Sequence, residues 1–149
     1  MNDFVYFWLH STLATTIIAW FVAQLLKVII VLIQHKKFDV SRFIGSGGMP
    51  SSHTSTVTAL ATAIAFTDGT RSSTFAISVI LALIVMYDAA GVRRAAGQQA
   101  KIINKIIEDW GKASYSDTEK KLKELLGHTP KEVFAGAILG IAIGIIRHI

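Results

Sequence analysis

Residues 12–34 read TLATTIIAWFVAQLLKVIIVLIQ, and Lys27 is the one charge among them. As a helix this stretch rises about 34 Å, enough to cross a bilayer's hydrocarbon core of roughly 30 Å. A cation inside a spanning helix costs about 3 kcal/mol on insertion scales and normally faces a bundle interior or a cavity. Lys27 is therefore a candidate functional group, with snorkelling toward the helix end as the alternative.

Composition agrees with a membrane reading. Of 149 residues, 52% are hydrophobic and 17% charged, which is too apolar for an average soluble domain. The length suits one domain, residues 1–149. There is no cysteine, so disulfides, thiolate metal sites and thiol catalysis are excluded. The net charge of +5 is spread between apolar runs and forms no tail or stripe, so anionic lipid is the expected partner and nucleic acid is not. Before Thr12 there is no basic run and no small-residue cleavage pattern, so the first apolar stretch is expected to be a retained anchor.

Three further spans follow from the pattern. Pro50 suits a first helical position, predicting a second helix over 50–67, whose face carries Ser55, Ala59 and Ala63. Asp68-Gly69-Thr70-Arg71 is a turn, and 73–91 is a third apolar helix. Thr129-Pro130-Lys131-Glu132 has the spacing of a capping box and opens a fourth span over 130–147. The expected class is an all-α membrane protein with four transmembrane helices. The segment 93–128 lies between the third and fourth. Within it Ala96, Gln99, Ile102, Ile103, Ile106, Ile107 and Trp110 recur at helical spacing opposite Arg94, Gln98, Lys101 and Lys105. That pattern fits an interfacial amphipathic helix or, equally, a helix packed on the bundle. Ser116-Asp117-Thr118-Glu119 is another capping box, predicting a short helix through Leu122, Leu125 and Leu126 that stops at Gly127.

Lys and Arg counts give an orientation. Segments 35–48 and 93–131 hold three and nine, whereas 68–72 and the residues before Thr12 hold one and none. The positive-inside rule then predicts an integral protein of a bacterial-type cytoplasmic membrane with both termini outside. Gly47–His53, Asp88–Arg94 and His128–Glu132 all fall at the cytoplasmic face, and Lys27 lies about 10 Å below its helix end.

Those residues are suited to phosphate. The run Gly47-Gly48-Met49-Pro50-Ser51-Ser52-His53-Thr54 joins a glycine turn to a helix start, where free N–H groups and the dipole attract anions. Ser51 and Ser52 offer hydroxyls, or else simply cap the helix. The carboxylates form no evident ligand cluster, so no metal and no cofactor is expected. Gly136, Gly140 and Gly144 permit close helix approach. Packing within one chain is favoured for that face, with a homodimer as the alternative.

Pro50-Ser51-Ser52-His53-Thr54 resembles the Pro-Ser-Gly-His signature of the type 2 phosphatidic acid phosphatase superfamily, which also includes vanadium haloperoxidases. Gly127-His128-Thr129-Pro130-Lys131-Glu132 is similar to its final motif, in which histidine precedes an acidic residue by four positions. Gly-Gly-Met-Pro-Ser-Ser-His (47–53) and Asp-Ala-Ala-Gly-Val-Arg-Arg-Ala-Ala-Gly (88–97) look like its short divergent branch, and the resemblance runs from Lys27 to Gly140. It implies His128 as nucleophile, Glu132 orienting its imidazole and His53 protonating the leaving oxygen. Lys27, Ser51, Ser52, Arg93 and Arg94 would hold the phosphoryl oxygens, with Asp88 and Gly48 supporting. The chain departs from the superfamily pattern at four places. Gln34 stands where Arg-Pro follows the first-motif lysine, Leu122 where an arginine precedes the final histidine by six, Ser52 for glycine and Glu132 for aspartate. The implied activity is metal-independent hydrolysis of a lipid phosphate or diphosphate through a phosphohistidine. The alternative is a lipid-phosphate-binding or transport component that keeps the anion pocket without turnover.

Overall fold

The architecture is set by where small residues occur. The structure is a computed structural model that describes Asn2, Trp8, residues 11–35, 48–111, Leu122 and residues 127–149. Among these residues it is all helical: α1 is Thr12–His35, α2 Ser52–Thr67, α3 Ser73–Ala90, α4 Val92–Gly111 and α5 Pro130–His148. The short helix expected across 116–126 falls outside the described residues, apart from Leu122, which is in no helix.

The core is built from alanine, glycine, serine and threonine. Ala14, Ala19, Ala23, Ala59 and Ala63 are fully buried, whereas Phe21, Ile33, Ile77, Ile84 and Phe134 face outward. In water the hydrophobic effect would drive the large side chains inward. In lipid that drive is absent, and small residues instead let helix backbones approach closely. The inside-out distribution is that of a membrane bundle.

Helix α2 sits at its centre, against α1, α3 and α5. Its inward positions are Ser52, Thr54, Ser55, Thr58, Ala59, Ala61 and Ala63. The hydroxyls of Ser55 and Thr58 are bonded to carbonyls, which offsets the cost of burying them. Ser55 Oγ donates to Ala19 O of α1 at 3.3 Å, and Thr58 Oγ1 donates to Thr54 O at 2.8 Å while lying 3.3 Å from Ala137 O of α5. The α5 glycines meet this face within the same chain. A Cβ at Gly136 would overlap Ser51 O, one at Gly140 would overlap Thr58 Oγ1 and Ser55 O, and one at Gly144 would lie 2.6 Å from Thr62 Cβ.

One sequence expectation changes, and another is met in part. Helix α2 begins at Ser52 rather than Pro50, because Ser51 takes the N-cap and accepts from Thr54 N. Pro50 lies outside the helix, joined to Met49 by a cis peptide. Of the four expected spans, two helical stretches are long and apolar enough to cross a membrane by themselves. These are Thr12–Ile33 and, with α3 and α4 counted as one nearly continuous helix, Ser73–Ile107. At sixteen residues α2 rises only about 24 Å, and α5 carries Lys131, Glu132 and Arg147 near its ends.

The helix α3 stops at Gly91, whose N–H bonds Tyr87 O, and α4 restarts at Val92. Among the helices α4 touches only α3. Its buried residues are Gly97, Ala100 and Asn104, while Ile102, Ile103, Ile106 and Ile107 stay exposed. Its isoleucines therefore do not pack on the other described helices.

Candidate functional site

The first turn of α5 organises the site. Thr129 caps it, Pro130 occupies the first turn and Glu132 closes the capping box. Glu132 Oε2 accepts from Thr129 N at 3.0 Å, and Glu132 N donates to Thr129 Oγ1 at 3.4 Å. The same Oε2 lies 3.1 Å from His128 Nδ1. Capping and orienting the imidazole, which looked like competing roles in the sequence, are performed by one oxygen together.

His128 is 4% exposed. Its backbone N–H donates to Ala89 O at 2.9 Å, using a carbonyl that the end of α3 leaves without an intrahelical partner. Immediately before it, Gly127 has φ +86°, and a Cβ there would lie 2.6 Å from Arg94 Cα, in the Arg93–Arg94 backbone. Only glycine satisfies both the left-handed backbone and that approach. The connection into His128 is thus laid directly on the start of α4.

From the other side, Ser51 N donates to Glu132 O at 3.0 Å, tying the start of α2 to the same turn. Ser51 Oγ accepts from Thr54 N at 3.4 Å and from Thr54 Oγ1 at 3.0 Å, which leaves its own hydroxyl hydrogen to donate elsewhere. Ser51 and Ser52 are both buried.

A cavity of about 100 Å³ opens between these elements, lined by His53, Val85, Asp88, Ala89, Arg93, Gly127 and His128. Arg93 Nε is 2.5 Å from Asp88 Oδ2, so the carboxylate fixes the guanidinium at the cavity wall. Lys27 is 1% exposed, and its stem packs beneath Gly48, with Cγ 3.4 Å from where a Cβ would stand. Gly48 has φ +86°. Lys27, Arg93, Asp88 and His128 all act electrostatically on His53. Arg94 is exposed, its side chain is not among those lining the cavity, and its contribution there is backbone against Gly127.

Burial pushes the His128 imidazole below its ordinary value of 6.5, and Lys27 adds to this. The Glu132 carboxylate and the Gly48 backbone pull the other way without overcoming it. The neutral ring, the form with a nucleophilic lone pair, therefore persists into more acidic solution than a free histidine allows.

Several of these contacts were not read from the sequence. Thr54 supports Ser51, and Val85 and Ala89 wall the cavity. Asn104 Nδ2 donates to Leu122 O at 2.8 Å while Leu122 N donates to Asn104 Oδ1 at 2.9 Å, a two-point grip on the position where the superfamily carries arginine. The one signal available for Asn104 was a poor helix former inside a run of isoleucines and lysines.

A family model described as the divergent PAP2 family, PAP2 being the type 2 phosphatidic acid phosphatases, matches residues 8–143. The chain is 46% identical to the uncharacterized membrane protein YuiD of Bacillus subtilis (strain 168), an alignment covering 90% of this chain and 91% of that one. No solved structure matches. By its motifs and by this match across most of its length, the chain belongs to the divergent PAP2 family and is a membrane protein.

Proposed function

We propose that the protein is a lipid phosphatase whose nucleophile is His128, working at the cytoplasmic face of a four-span bundle made by α1, α2, α3 and α5 with both termini outside. The observation that carries this reading is a buried imidazole, oriented by Glu132 at 3.1 Å, on the wall of a cavity shared with His53 and Arg93. With the proton held on Nδ1 by Glu132, Nε2 carries the lone pair and attacks phosphorus as the bond to the leaving oxygen breaks. His53, in its imidazolium form, gives that oxygen its proton. The resulting phosphohistidine is then hydrolysed by water, whose proton returns to His53 as inorganic phosphate departs. Arg93, Lys27 and the hydroxyls of Ser51 and Ser52 oppose the charge on the phosphoryl oxygens. In this four-span arrangement α2 is shielded by its neighbours, so its shortness and its hydroxyl-rich face do not meet lipid.

A phosphate group borne on a lipid tail suits a cavity at a membrane face. The chemistry accommodates phosphatidate, phosphatidylglycerophosphate and isoprenyl diphosphates alike. One observation favours a second reading, a binding or transport component without turnover: Arg93, the one arginine lining the cavity among the described residues, is already engaged by Asp88. Phosphate release from those three lipids, with and without vanadate, separates the two. Release that is vanadate-sensitive and lost in both His128→Ala and His53→Ala supports the enzyme. Tight lipid-phosphate binding with no release from the unmodified protein overturns it.

A further inference from the structure

The helix α4 presents three separate faces at 3.6 residues per turn. Gly97, Ala100 and Asn104 form the face turned to the protein. Arg94, Gln98, Lys101 and Lys105 share an exposed polar face. The third carries Ile102, Ile103, Ile106 and Ile107, exposed to 60%, 44%, 45% and 46%. Among the described residues no helix other than α3 touches α4, and the isoleucines stay exposed.

What covers them follows from position and charge. Val92 opens α4 directly after Gly91, the cap of an apolar helix able to take part in a membrane crossing, so α4 begins at the membrane's surface. The outward residues at the end of α3, Leu83, Ile84 and Tyr87, lead into Val92, itself 61% exposed. The apolar exterior of the bundle thus continues onto α4 through Val92, Ala95 and Ala96 to the isoleucines, with Gln99 the one polar residue on that face between them. The residue types also match: a strip of isoleucine with lysine and arginine on another face is the arrangement that lies in a lipid interface, cations at anionic headgroups.

We propose that α4 is a membrane-surface helix lying against the bilayer on the face that carries His128, its isoleucines in the headgroup–acyl boundary and Arg94, Lys101 and Lys105 toward anionic headgroups. Two fastenings give this placement a consequence for the site. Asn104 holds the Leu122 backbone, and Gly127 rests on the Arg93–Arg94 backbone, so the chain leading to His128 is tied to α4 at two points. Anchoring α4 in lipid therefore sets the height of His128 relative to the headgroups. That consequence rests on the reading of His128 as the reactive group, whereas the placement of α4 does not.

The absence of native cysteine permits a direct test by single-site spin labelling. Ile102→Cys, Ile106→Cys, Lys101→Cys and Lys105→Cys are labelled in the full chain. Each is reconstituted in vesicles of phosphatidylcholine with and without phosphatidylglycerol. All four positions are exposed, and retention of fold is checked by thermal denaturation in detergent. Labels at 102 and 106 are expected to collide with oxygen in preference to a water-soluble nickel chelate, at a depth of roughly 5–10 Å. Labels at 101 and 105 are expected to show the reverse preference, and phosphatidylglycerol to deepen the label at 106. Equal chelate access at all four positions overturns the proposal. Shielding of 102 and 106 from both reagents, with spin–spin broadening removed by diluting in unlabelled chains, also overturns it and assigns the face to a second copy. These readouts require no turnover, so they stand apart from the phosphate-release experiment.

Discussion

Two polar connections border α3, and they are bonded in opposite ways. At residues 67–74 the side-chain bonds are local: Thr67 Oγ1 and Thr74 Oγ1 donate to Asp68 at 2.7 and 2.6 Å, and Ser72 Oγ donates to Gly69 O at 2.8 Å. At the other end, bonds reach across the sequence, from His128 N to Ala89 O, from Ser51 N to Glu132 O and from Asn104 to Leu122. Local bonds close a turn and need nothing else in place. Long-range ones exist only when several helix ends are held together, which is the condition a site imposes and a turn does not.

The largest expected effect is on chemistry. His128→Ala is expected to lower phosphate release at least about 10³-fold, the scale on which loss of a nucleophile acts, with its thermal midpoint in detergent near that of the unmodified protein. Unchanged release would remove the distinction between the two ends. In the unmodified protein the acidic limb of the rate–pH profile is expected below 6.5, since burial lowers the His128 pKa.

A matched glycine pair sharpens the comparison. Gly127 and Gly69 have nearly equal φ, +86° and +83°, but a Cβ at 127 enters the Arg93–Arg94 backbone, whereas at 69 nothing lies within 4 Å. Gly69→Ala should cost about 1–2 kcal/mol, the left-handed strain alone. Gly127→Ala should cost about 2–5 kcal/mol, as overpacking adds to it, and should reduce activity as well. Thermal denaturation of the two variants measures the gap, and equal losses would mean the His128 connection is no more tightly held than a turn.

Smaller effects follow. Asn104→Ala should destabilise by about 1–3 kcal/mol through the orphaned Leu122 backbone groups, read by the same denaturation. The smallest is at Asp68, whose carboxyl is held below its ordinary 3.8 by hydrogen bonds from Thr74 and then Thr67. A lowered carboxylate pKa stabilises above the unfolded value and is lost as pH falls through the folded one. Asp68→Asn should therefore match the unmodified protein in strong acid and be slightly less stable at neutral pH, without altering phosphate release.

The sequence made parts of this legible for physical reasons. Length and apolarity located α1 and α3 to within a residue, because spanning lipid constrains both. The capping box at Thr129 was readable because it is local. The start of α2 was misplaced by two residues because proline and serine both suit helix starts, and the side-chain bond from Ser51 decides between them. The site residues were nominated by motif, but Gly127 against Arg93–Arg94 and Asn104 against Leu122 join segments whose proximity no local pattern encodes. Arg94 shows the converse, a motif residue that contributes backbone rather than charge to the cavity.

One carboxylate oxygen of Glu132 both begins α5 and steers His128. Position 132 is therefore confounded in any mutational screen. A loss of activity there cannot be scored as lost catalysis, nor a loss of yield as lost folding, because no substitution removes one bond and spares the other by design. Variants at Thr129, which disturb the cap from its other side, and at His128, which leave the cap intact, are the controls that allow the two signals at 132 to be separated.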